Sequence, residues 1–483
     1  MKLNSKRILA ALLAGLMLLP TVSCAKTEET SVETQQTDVT LVETETETGY
    51  RPNIDKTDYD CEFVITGVDS VRHWALSEED KAGDPLEDSI YERATRIRDH
   101  LGVTLVEKDA GDWVSYSSVI LRSVQAGDDE YQLVATHVFE GVTSLIASGA
   151  MYDFAEFDAV NLDAPYWSYE YMDGLTVLDQ YLIGYNDFCM ANCYCMILNK
   201  DLVDKYNLTL PYEMVDQNTW TLDSMISFVS VVSEDNGDGV RNELDTYGIT
   251  GWGWTDMVAF LHSSNMKCVE RDETGLYQIT YEENSEKLLD LLETISKIYD
   301  AEYAYFWTPN SEREGTSVGF GTGRTLLQLT DTSALAGMRG EVIRFGILPY
   351  PMYDEAQKSY KTLSWNGNLM VPSTIRNHDM VGEVIELLAY YTAPVKTAYF
   401  EDLLGSKLAE APEDARMLEI IWESQVSDAA VIAANLNNNA VGTLLCIIPN
   451  LCRDGVGTYS SYLAKRLKVA NRSLKDLFNP KKR

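Results

Sequence analysis

The sequence is poor in histidine and in basic residues, and these shortages exclude several functions. Five of its 483 residues are histidine, and their scattered positions match no zinc motif. Lysine and arginine number 39 against 75 aspartates and glutamates, for a formal net charge of −36. A nucleic-acid partner needs lysines and arginines to neutralise its phosphates, so we predict that the protein binds no nucleic acid. An anionic lipid surface is disfavoured for the same reason.

Motifs for nucleotide binding and nucleophilic catalysis are absent or lie in the wrong context. The glycines of GFGTGR, residues 319–324, lack the G-x-G-x-x-G spacing, and no P-loop occurs. GTSVG matches the G-x-S-x-G pattern around Ser317, but that pattern needs a strand before it and a helix after it. Here TPNSERE precedes it and the strand-like TLLQL follows. We predict no catalytic residue, although 75 carboxylates leave a glycosidase-like pair open.

The amino terminus lacks acidic residues and carries a short apolar run. Residues 1–23 begin with two lysines and an arginine and continue as ILAALLAGLMLLP, which is typical of a secretory signal peptide. TVSC follows and resembles a bacterial lipobox, with Thr21 where leucine is usual. We predict that Cys24 is lipidated and holds the protein on the extracellular face of the cell membrane. The alternative is an ordinary cleaved signal before an incidental cysteine.

Residues 24–58 have almost no large apolar side chains. KTEETSVETQQTDVTLVETETETG is rich in threonine and glutamate and cannot bury enough surface to fold, so we predict a disordered acidic tether. No second apolar span of membrane length occurs. The remaining residues, 59–483, are too many for one ordinary core, so we expect two lobes.

Cysteine number and spacing do not indicate a paired framework. Eight cysteines less Cys24 leave seven, and an odd number cannot all be paired within the chain. Three lie in CMANCYC, residues 189–195, within a continuous apolar and aromatic stretch typical of a buried strand. We predict buried thiols there, with a metal site as the open alternative.

Strand and helix patterns alternate in the first part of the body. CEFVITGV, VTLVEKD and YQLVATHV predict strands, and DSIYERATRIRDHLG, SYSSVILRSVQAGDD and EGVTSLIASGA predict helices between and after them. This alternation indicates an α/β domain with a largely parallel sheet. More helices are predicted over 221–232, 283–299, 379–393 and 412–426. A leucine stripe from Leu463 to Leu477 predicts a C-terminal helix packed on the second lobe.

Four segments between residues 59 and 430 follow one another in an order that carries a resemblance. They are YWSYEYMDGLTVLDQYLIGYND with CMILNKDLVDKYNL, TWTLDSMISFVSVVSEDNGDGVRNELDTYGI, FGTGRTLLQL, and FGILPYPMYDEAQKSY with NLMVPST. In this order they resemble the maltose-binding-protein-like bacterial extracellular solute-binding proteins, family 1, which are lipid-anchored receptors of ABC importers. The last segment resembles the clostridial type, and Arg324 stands where lysine is usual.

The resemblance implies an α/β, two-lobed periplasmic-binding-protein-like fold with three interlobe crossings and a central ligand cleft. It places residues 59–188 plus 316–364 in lobe 1 and residues 189–315 plus 365–483 in lobe 2. The crossings are expected near residues 187–190, 315 and 365. Open α/β sheets bind ligands beyond the carboxyl ends of their strands, so we expect the cleft there.

SEDNGDGVRNELDTYG, residues 233–248, is spaced like a calcium loop. Calcium binds six to eight oxygens, and a glycine at the sixth position, here Gly239, permits the sharp turn. The loop departs from the usual pattern by Glu for Asp at position one and Asp for Glu at position twelve. We predict a structural Ca²⁺ site, the alternative being a metal-free turn, with ligands from Glu234, Asn236, Asp238, Val240 and Asp245.

Tryptophan and tyrosine are abundant, with nine and 28 residues, and their flat rings suit sugar rings. GWGWTD follows a predicted strand, and YND and SWNGN lie at predicted crossings. For each tryptophan the alternative is packing within a lobe. The predicted ligand-binding residues are Trp113, Tyr185, Asp187, Trp252, Trp254, Asp256, Asp331, Trp365 and Asn366, with His137 as a weaker candidate.

The predicted function follows from the resemblance and these residues. We expect a monomeric, lipid-anchored receptor that captures a small-molecule solute, an oligosaccharide, and delivers it to ABC permease subunits without chemistry. Two alternatives stay open: a ligand-binding partner of a surface sensor, and an extracellular glycan hydrolase.

Overall fold

The computed structural model describes residues 50–77, 83–137, 139–190, 192–307, 318–336, 343–365, 367–404 and 412–478. The predicted signal peptide, Cys24 and residues 25–49 of the predicted tether lie outside these ranges. Ser317 and Asn366 also lie outside them. The predictions made for these residues therefore stay predictions.

The strands of the described residues alternate with helices over most of the body. The strands are β1 (Cys61–Gly67), β2 (Val103–Glu107), β3 (Leu133–Thr136), β4 (Tyr194–Asn199), β5 (Ser233–Glu234), β6 (Thr246–Trp252), β7 (Val269–Arg271), β8 (Tyr277–Ile279), β9 (Ala304–Trp307), β10 (Thr325–Asp331), β11 (Phe345–Leu348), β12 (Thr362–Leu363), β13 (Asn368–Met370) and β14 (Gln425–Val426).

The helices cover the predicted helical segments and add several short ones. They are α1 (Asp69–Arg72), α2 (Pro85–Leu101), α3 (Tyr116–Ala126), α4 (Val142–Ala147), α5 (Tyr169–Asp173), α6 (Lys200–Lys205), α7 (Tyr212–Asp216), α8 (Leu222–Val229), α9 (Thr255–Ser263), α10 (Ser285–Asp300), α11 (Ser333–Ala336), α12 (His378–Tyr390), α13 (Ala393–Leu404), α14 (Pro412–Glu423), α15 (Ala430–Ala433), α16 (Ala440–Leu445), α17 (Ile447–Asp454) and α18 (Tyr459–Leu477).

The first sheet has the strand order β13-β3-β1-β2. Strand β1 runs parallel to β2 and β3, whereas β13 is antiparallel to β3. Helix α2 connects β1 to β2; it begins at the N-cap Asp84 and ends at Gly102, whose φ of 65° is the left-handed conformation that favours glycine. The predicted strand–helix alternation and the parallel core of this sheet are confirmed.

The second sheet has the strand order β11-β4-β10-β6-β5, and β9 also pairs with β6, along residues 249–252. Strand β10 is parallel to β6 and antiparallel to β4, and β9 is also parallel to β6. Three carboxyl ends, those of β6, β9 and β10, therefore lie at one edge of this sheet. The two sheets with their helices form the two lobes of a mixed α/β fold.

The strand pairing corrects the predicted lobe boundaries. Residues 316–364 were predicted for lobe 1, but their strands β10 and β11 pair in the second sheet. Residues 365–483 were predicted for lobe 2, but their strand β13 pairs in the first sheet. The expected crossing near 315 lies between β9 and β10, which both pair with β6. An apolar pattern predicts a strand but not its partner, which explains the error. The number of crossings stays a prediction.

Residues 50–58 of the predicted tether lie on the folded body. The backbone N–H of Thr57 donates to the carbonyl oxygen of His100 (3.0 Å), and the Tyr50 hydroxyl accepts from Asn161 Nδ2 (2.8 Å). Pro52 is buried. For these nine residues the prediction of disorder is wrong, because the threonine- and glutamate-rich composition ends before Tyr50.

The three cysteines of the CMANCYC stretch are buried as predicted, but the strand covers only the end of the stretch. Cys189, Cys193 and Cys195 are buried free thiols, and burial raises the pKa of Cys189 to about 12. Strand β4 begins only at Tyr194, after a short 3-10 turn. Within the described part of the chain, no group of three or more His, Cys, Asp or Glu residues is placed to hold a metal ion.

The C-terminal segments are joined to the second lobe by a buried carboxylate. Asp428 accepts hydrogen bonds from the backbone N–H groups of Cys268 (2.7 Å), Val269 (3.1 Å) and Ala430 (2.9 Å). Its Oδ2 also lies 3.1 Å from Nε2 of the fully buried His262 in α9. These bonds position α15 and the helices after it.

The predicted C-terminal helix is confirmed as α18. Its apolar stripe, including Leu463, Ala470 and Leu474, is buried, and the helix contacts α16 and β8. A search of the described residues for a helix both long enough and apolar enough to span a bilayer found none.

Candidate ligand-binding site

A cavity of about 1000 Å³ lies where the carboxyl ends of parallel strands from both sheets meet. From the first sheet, His137 follows β3, and Trp113 lies in the loop after β2. From the second sheet, Trp252, Trp307 and Asp331 are the last residues of β6, β9 and β10. Clefts at this edge are the general ligand sites of open α/β sheets.

Six of the nine predicted ligand-binding residues line this cavity. They are Trp113, Trp252, Trp254, Asp256, Asp331 and Trp365, and the weaker candidate His137 joins them. Trp252 and Asp331 come together because β6 and β10 are parallel neighbours. Trp254 and Asp256 follow β6 as α9 begins. Their shared position agrees with the predicted cleft, and their contact with a ligand stays a prediction.

Tyr185 and Asp187 lie outside the cavity, which corrects their predicted place. Tyr185 is buried, its hydroxyl donates to Gln425 Oε1 (2.6 Å), and its ring stacks on Tyr171 with centroids 4.1 Å apart. Asp187 forms an ion pair with Lys396 (3.4 Å). Tyr185 thus joins the segment before β4 to β14, and Asp187 joins it to α13. Asn366 lies outside the described residues.

Stacked and exposed tryptophan rings form the walls of the cavity. Trp252 and Trp307 stack with centroids 5.7 Å apart and ring planes 18° from parallel. Trp113 and Trp254 remain 54% and 37% exposed. Large apolar rings left open to solvent in a concave site are typical of ligand contacts. Trp307 was not predicted, although it ends an apolar strand as Trp252 does.

Trp365 joins aromatic side chains from both lobes. Its ring lies edge-on to Phe139, which follows β3, with centroids 4.7 Å apart, and edge-on to Tyr194 of β4 at 5.7 Å. It stands just before β13, where the chain returns to the first sheet. Any relative movement of the lobes must therefore repack this ring.

Three residues of the cavity wall carry buried polar atoms that have no hydrogen-bond partner among the described residues. They are Trp252 Nε1, Gln328 Oε1 and Trp365 Nε1. An unsatisfied buried donor or acceptor costs about 1–3 kcal/mol. A rearranged, ligand-bound state that paired these atoms would recover part of that cost.

The acidic residues among the described lining residues of the cavity are Glu140, Asp256 and Asp331, and no lysine or arginine is among those lining residues. Asp256 is only 8% exposed, and its Oδ2 accepts the backbone N–H of Trp252 (2.7 Å). Burial raises the pKa of Asp256 to about 8, and the negative charge of Asp331 adds to this rise. The raised pKa favours the protonated form of Asp256 at neutral pH.

His137 is neutral and has a defined tautomer. Its Nδ1 accepts the backbone N–H groups of Phe139 and Glu140, both at 3.2 Å, so Nε2 carries the proton. Burial lowers the pKa of His137, with Glu140 acting in the opposite direction. The imidazole stands beside Trp113, with ring centroids 5.4 Å apart.

The C-terminal segment supplies neutral polar groups that the sequence reading did not identify. Asn435, Asn439, Thr443 and Asn450 line the cavity. Asn435 Nδ2 donates to the carbonyl oxygen of Phe139 (2.9 Å), which ties this segment to the first lobe. Residues 437–439 are three asparagines with positive φ, a conformation that asparagine tolerates better than most residues. The NNN run was the available signal for a tight turn.

The acidic loop brings together part of the predicted calcium ligand set. Asp238 Oδ2 accepts from the side-chain amides of Asn236 (3.1 Å) and Asn242 (3.4 Å), and Asp245 accepts the backbone N–H groups of the same two residues. Glu234, predicted at position one, instead forms an ion pair with Lys205 (2.7 Å). The carboxylate oxygens of Asp238 and Asp245 thus accept N–H donors of the loop itself, and the calcium site stays a prediction.

Comparison with known proteins shows the fold. No family model and no curated protein matches the sequence. The GacH receptor of Streptomyces glaucescens, solved unliganded and with acarbose, is 13% identical over 87% of this chain and 99% of its own, with a TM-score of 0.53. An ABC substrate-binding protein from Listeria monocytogenes in complex with cycloalternan is 11% identical over 86% and 98%, with a TM-score of 0.52. A Thermotoga lettingae ABC solute-binding protein bound with α-D-tagatose is 13% identical over 86% and 99%, also at 0.52.

These similarities are to two-lobed solute-binding proteins of ABC transporters, and they confirm the predicted fold class. Each covers nearly the whole of the related chain, so both lobes take part in the match. At 11–13% identity they carry no residue-level assignment.

Proposed function

We propose that this protein is a receptor that captures a carbohydrate for an ABC importer. The observation that carries the proposal is the cavity itself, which lies between two α/β lobes and is walled by Trp113, Trp252, Trp254, Trp307 and Trp365. Tryptophan rings offer broad apolar faces that stack on sugar rings, and the asparagines beside them can bond to hydroxyl groups. The saccharides named for the related structures agree with this proposal.

The proposed cellular role adds an anchor and a partner. Residues 1–23 direct export, Cys24 carries the lipid, and a monomer of the clostridial type presents its ligand to permease subunits on the extracellular face. The lipobox-like TVSC and the motif order support this role. A surface sensor in place of the permease would use the same receptor.

A structural Ca²⁺ in the loop of residues 234–245 is part of the proposal. Asn236, Asp238, Asn242 and Asp245 would hold it, with the carbonyl of Val240 at the seventh position. Binding to Glu234 would require that its ion pair with Lys205 opens. The loop lies away from the cavity-lining residues, so the ion would stabilise the lobe without touching the ligand.

Glycan hydrolysis is the second candidate because of one observation. Asp256 keeps a proton near neutral pH while Asp331 is close enough to influence its charge, and an acid paired with a carboxylate is the arrangement of glycosidases. The related structures are binding proteins, which favours capture without turnover.

A calorimetric titration of the purified mature protein against a saccharide panel tests both candidates. Capture predicts a saturable heat and a single site, with the saccharide recovered intact after prolonged incubation. Release of reducing ends would instead support the hydrolase. If no saccharide binds while peptides or other solutes do, the carbohydrate assignment is wrong.

A further inference from the structure

The cavity has an unusual charge for a site expected to take a neutral sugar. Glu140, Asp256 and Asp331 are the acidic residues among its described lining residues, and neither lysine nor arginine is among these lining residues. We propose that the captured solute is cationic: a saccharide that carries free primary amino groups. This inference rests on the proposed carbohydrate-binding function and narrows its ligand class.

Neighbouring carboxylates in this cavity lack a positive partner within the described part of the chain. No described ion pair involves Asp256 or Asp331, and the charge of Asp331 adds to the rise in the pKa of Asp256. A neutral ligand that covers these groups would remove water from the Asp331 carboxylate and supply no charge in return, which is unfavourable. An ammonium group would instead form charge-assisted hydrogen bonds with Asp331, and beside that cation Asp256 would lose its proton and become a second carboxylate partner.

The aromatic wall favours the same ligand. A cation placed over the face of a tryptophan is attracted by the negative face of the ring. Trp254 lies two residues before Asp256. Trp252, whose backbone N–H donates to the Asp256 carboxyl group, stacks on Trp307. Ring faces and carboxylates therefore occur side by side, a combination that binds an amine more strongly than a hydroxyl in the same place.

The neutral polar groups explain why the cation should be part of a sugar. Asn435, Asn439 and Thr443 bring amide and hydroxyl groups to the cavity lining, whereas the buried Asn450 amide is already bonded to Thr443 and Tyr462. These groups can donate hydrogen bonds to the hydroxyl groups of a sugar and accept hydrogen bonds from them, whereas a simple alkyl amine would leave most of them without a partner. The formal net charge of −36 also produces a field that attracts cations over longer distances.

The proposal is tested with matched saccharides whose rings differ only in the substituent at C2, which is an amine, a hydroxyl or an N-acetyl group. The set pairs glucosamine with glucose, and a β-1,4 glucosamine tetramer with cellotetraose and with its N-acetylated form. Titration calorimetry of the mature protein at about pH 6 keeps the amine charged. We expect at least one amine to bind about ten-fold or more tightly than its neutral partner, with a difference that shrinks as salt is added.

Charge variants separate this effect from general stacking. Asp331→Asn should weaken amine binding about ten-fold, and by a clearly larger factor than it weakens binding of the neutral partner. Glu355→Gln, which changes an exposed acidic residue outside the cavity, is the matched control and should change neither. Binding of the amine should also release protons, seen as a buffer-dependent heat, because Asp256 ionises beside the cation.

The outcomes distinguish the inference from the function on which it rests. If neutral saccharides bind as tightly as their amine partners, or Asp331→Asn weakens both equally, the cationic ligand is refuted and the carbohydrate receptor stands. If no saccharide of either kind binds, both proposals fail. A folded Asp331→Asn protein, verified by its melting temperature, is required for either conclusion.

Discussion

Removal of the Trp254 ring should weaken saccharide binding and leave the fold nearly as stable. Trp254 lines the cavity and is 37% exposed, so much of its ring is free to be covered by a ligand. Covering such a surface with a sugar is worth about 1–3 kcal/mol. The dissociation constant of Trp254→Ala should therefore rise about 5- to 150-fold.

Trp365→Ala is the contrasting variant. Trp365 is more deeply buried and packs edge-on between Phe139 and Tyr194. Its removal leaves a cavity in a contact between the lobes, so we expect a stability loss of at least about 2 kcal/mol together with weaker binding. Only Trp254→Ala should separate the two effects.

Titration calorimetry with the tightest saccharide, combined with urea unfolding, measures both quantities. The reasoning is refuted if Trp254→Ala binds the saccharide as tightly as the unchanged protein. It is also refuted if the variant loses binding only in proportion to lost stability, because that result would assign the ring to packing.

Four further predictions concern other parts of the molecule. Between about pH 4 and pH 8 the folded protein keeps a proton on Asp256 that the unfolded chain has lost, so the unchanged protein loses stability as pH rises. Asp256→Asn should therefore gain stability relative to the unchanged protein over this range. A stability difference in urea unfolding that does not vary with pH would contradict this. Asp428→Ala should cost about 3–5 kcal/mol of unfolding free energy, since His262 and three backbone N–H groups lose their partner; a loss below about 1 kcal/mol would be too small for that network. Cys24→Ala should move the protein from the membrane fraction to the medium. If the variant stays in the membrane fraction as fully as the unchanged protein does, the lipid anchor is excluded. A chelator should lower the melting temperature by removing Ca²⁺, and Asp238→Ala should abolish that response; an unchanged melting curve with no metal in the purified protein would exclude the ion.

Local patterns in the sequence predicted the elements of the fold well. Strands such as β1 and helices such as α2 have clear periodicity and end signals, and Gly102 marks the helix end in both the sequence and the structure. The pairing of β10 and β13 was not predictable in the same way. The apolar pattern of a strand indicates that the strand is buried but does not identify its partner strand. The prediction therefore placed β10 and β13 in the wrong lobes.

The candidate site was predictable where it depends on strand ends. Trp252 and Asp256 follow an apolar strand directly, and the carboxyl ends of parallel strands meet at one edge. Asp187 also lies in an apolar context, but its partner Lys396 is 209 residues away, and sequence spacing cannot reveal that ion pair. The asparagines after α15 reach the cavity through contacts between residues far apart in sequence, such as the bonds of Asp428 to Cys268 and of Asn435 to Phe139.

A crystal structure of the mature protein with its tightest-binding saccharide tests the central claim most directly. We predict sugar rings in the cavity between the lobes, stacked on at least one of Trp252, Trp254 and Trp307, with an amino group near Asp256 or Asp331. A saccharide bound elsewhere on the surface, with these tryptophans and carboxylates untouched, would contradict the account.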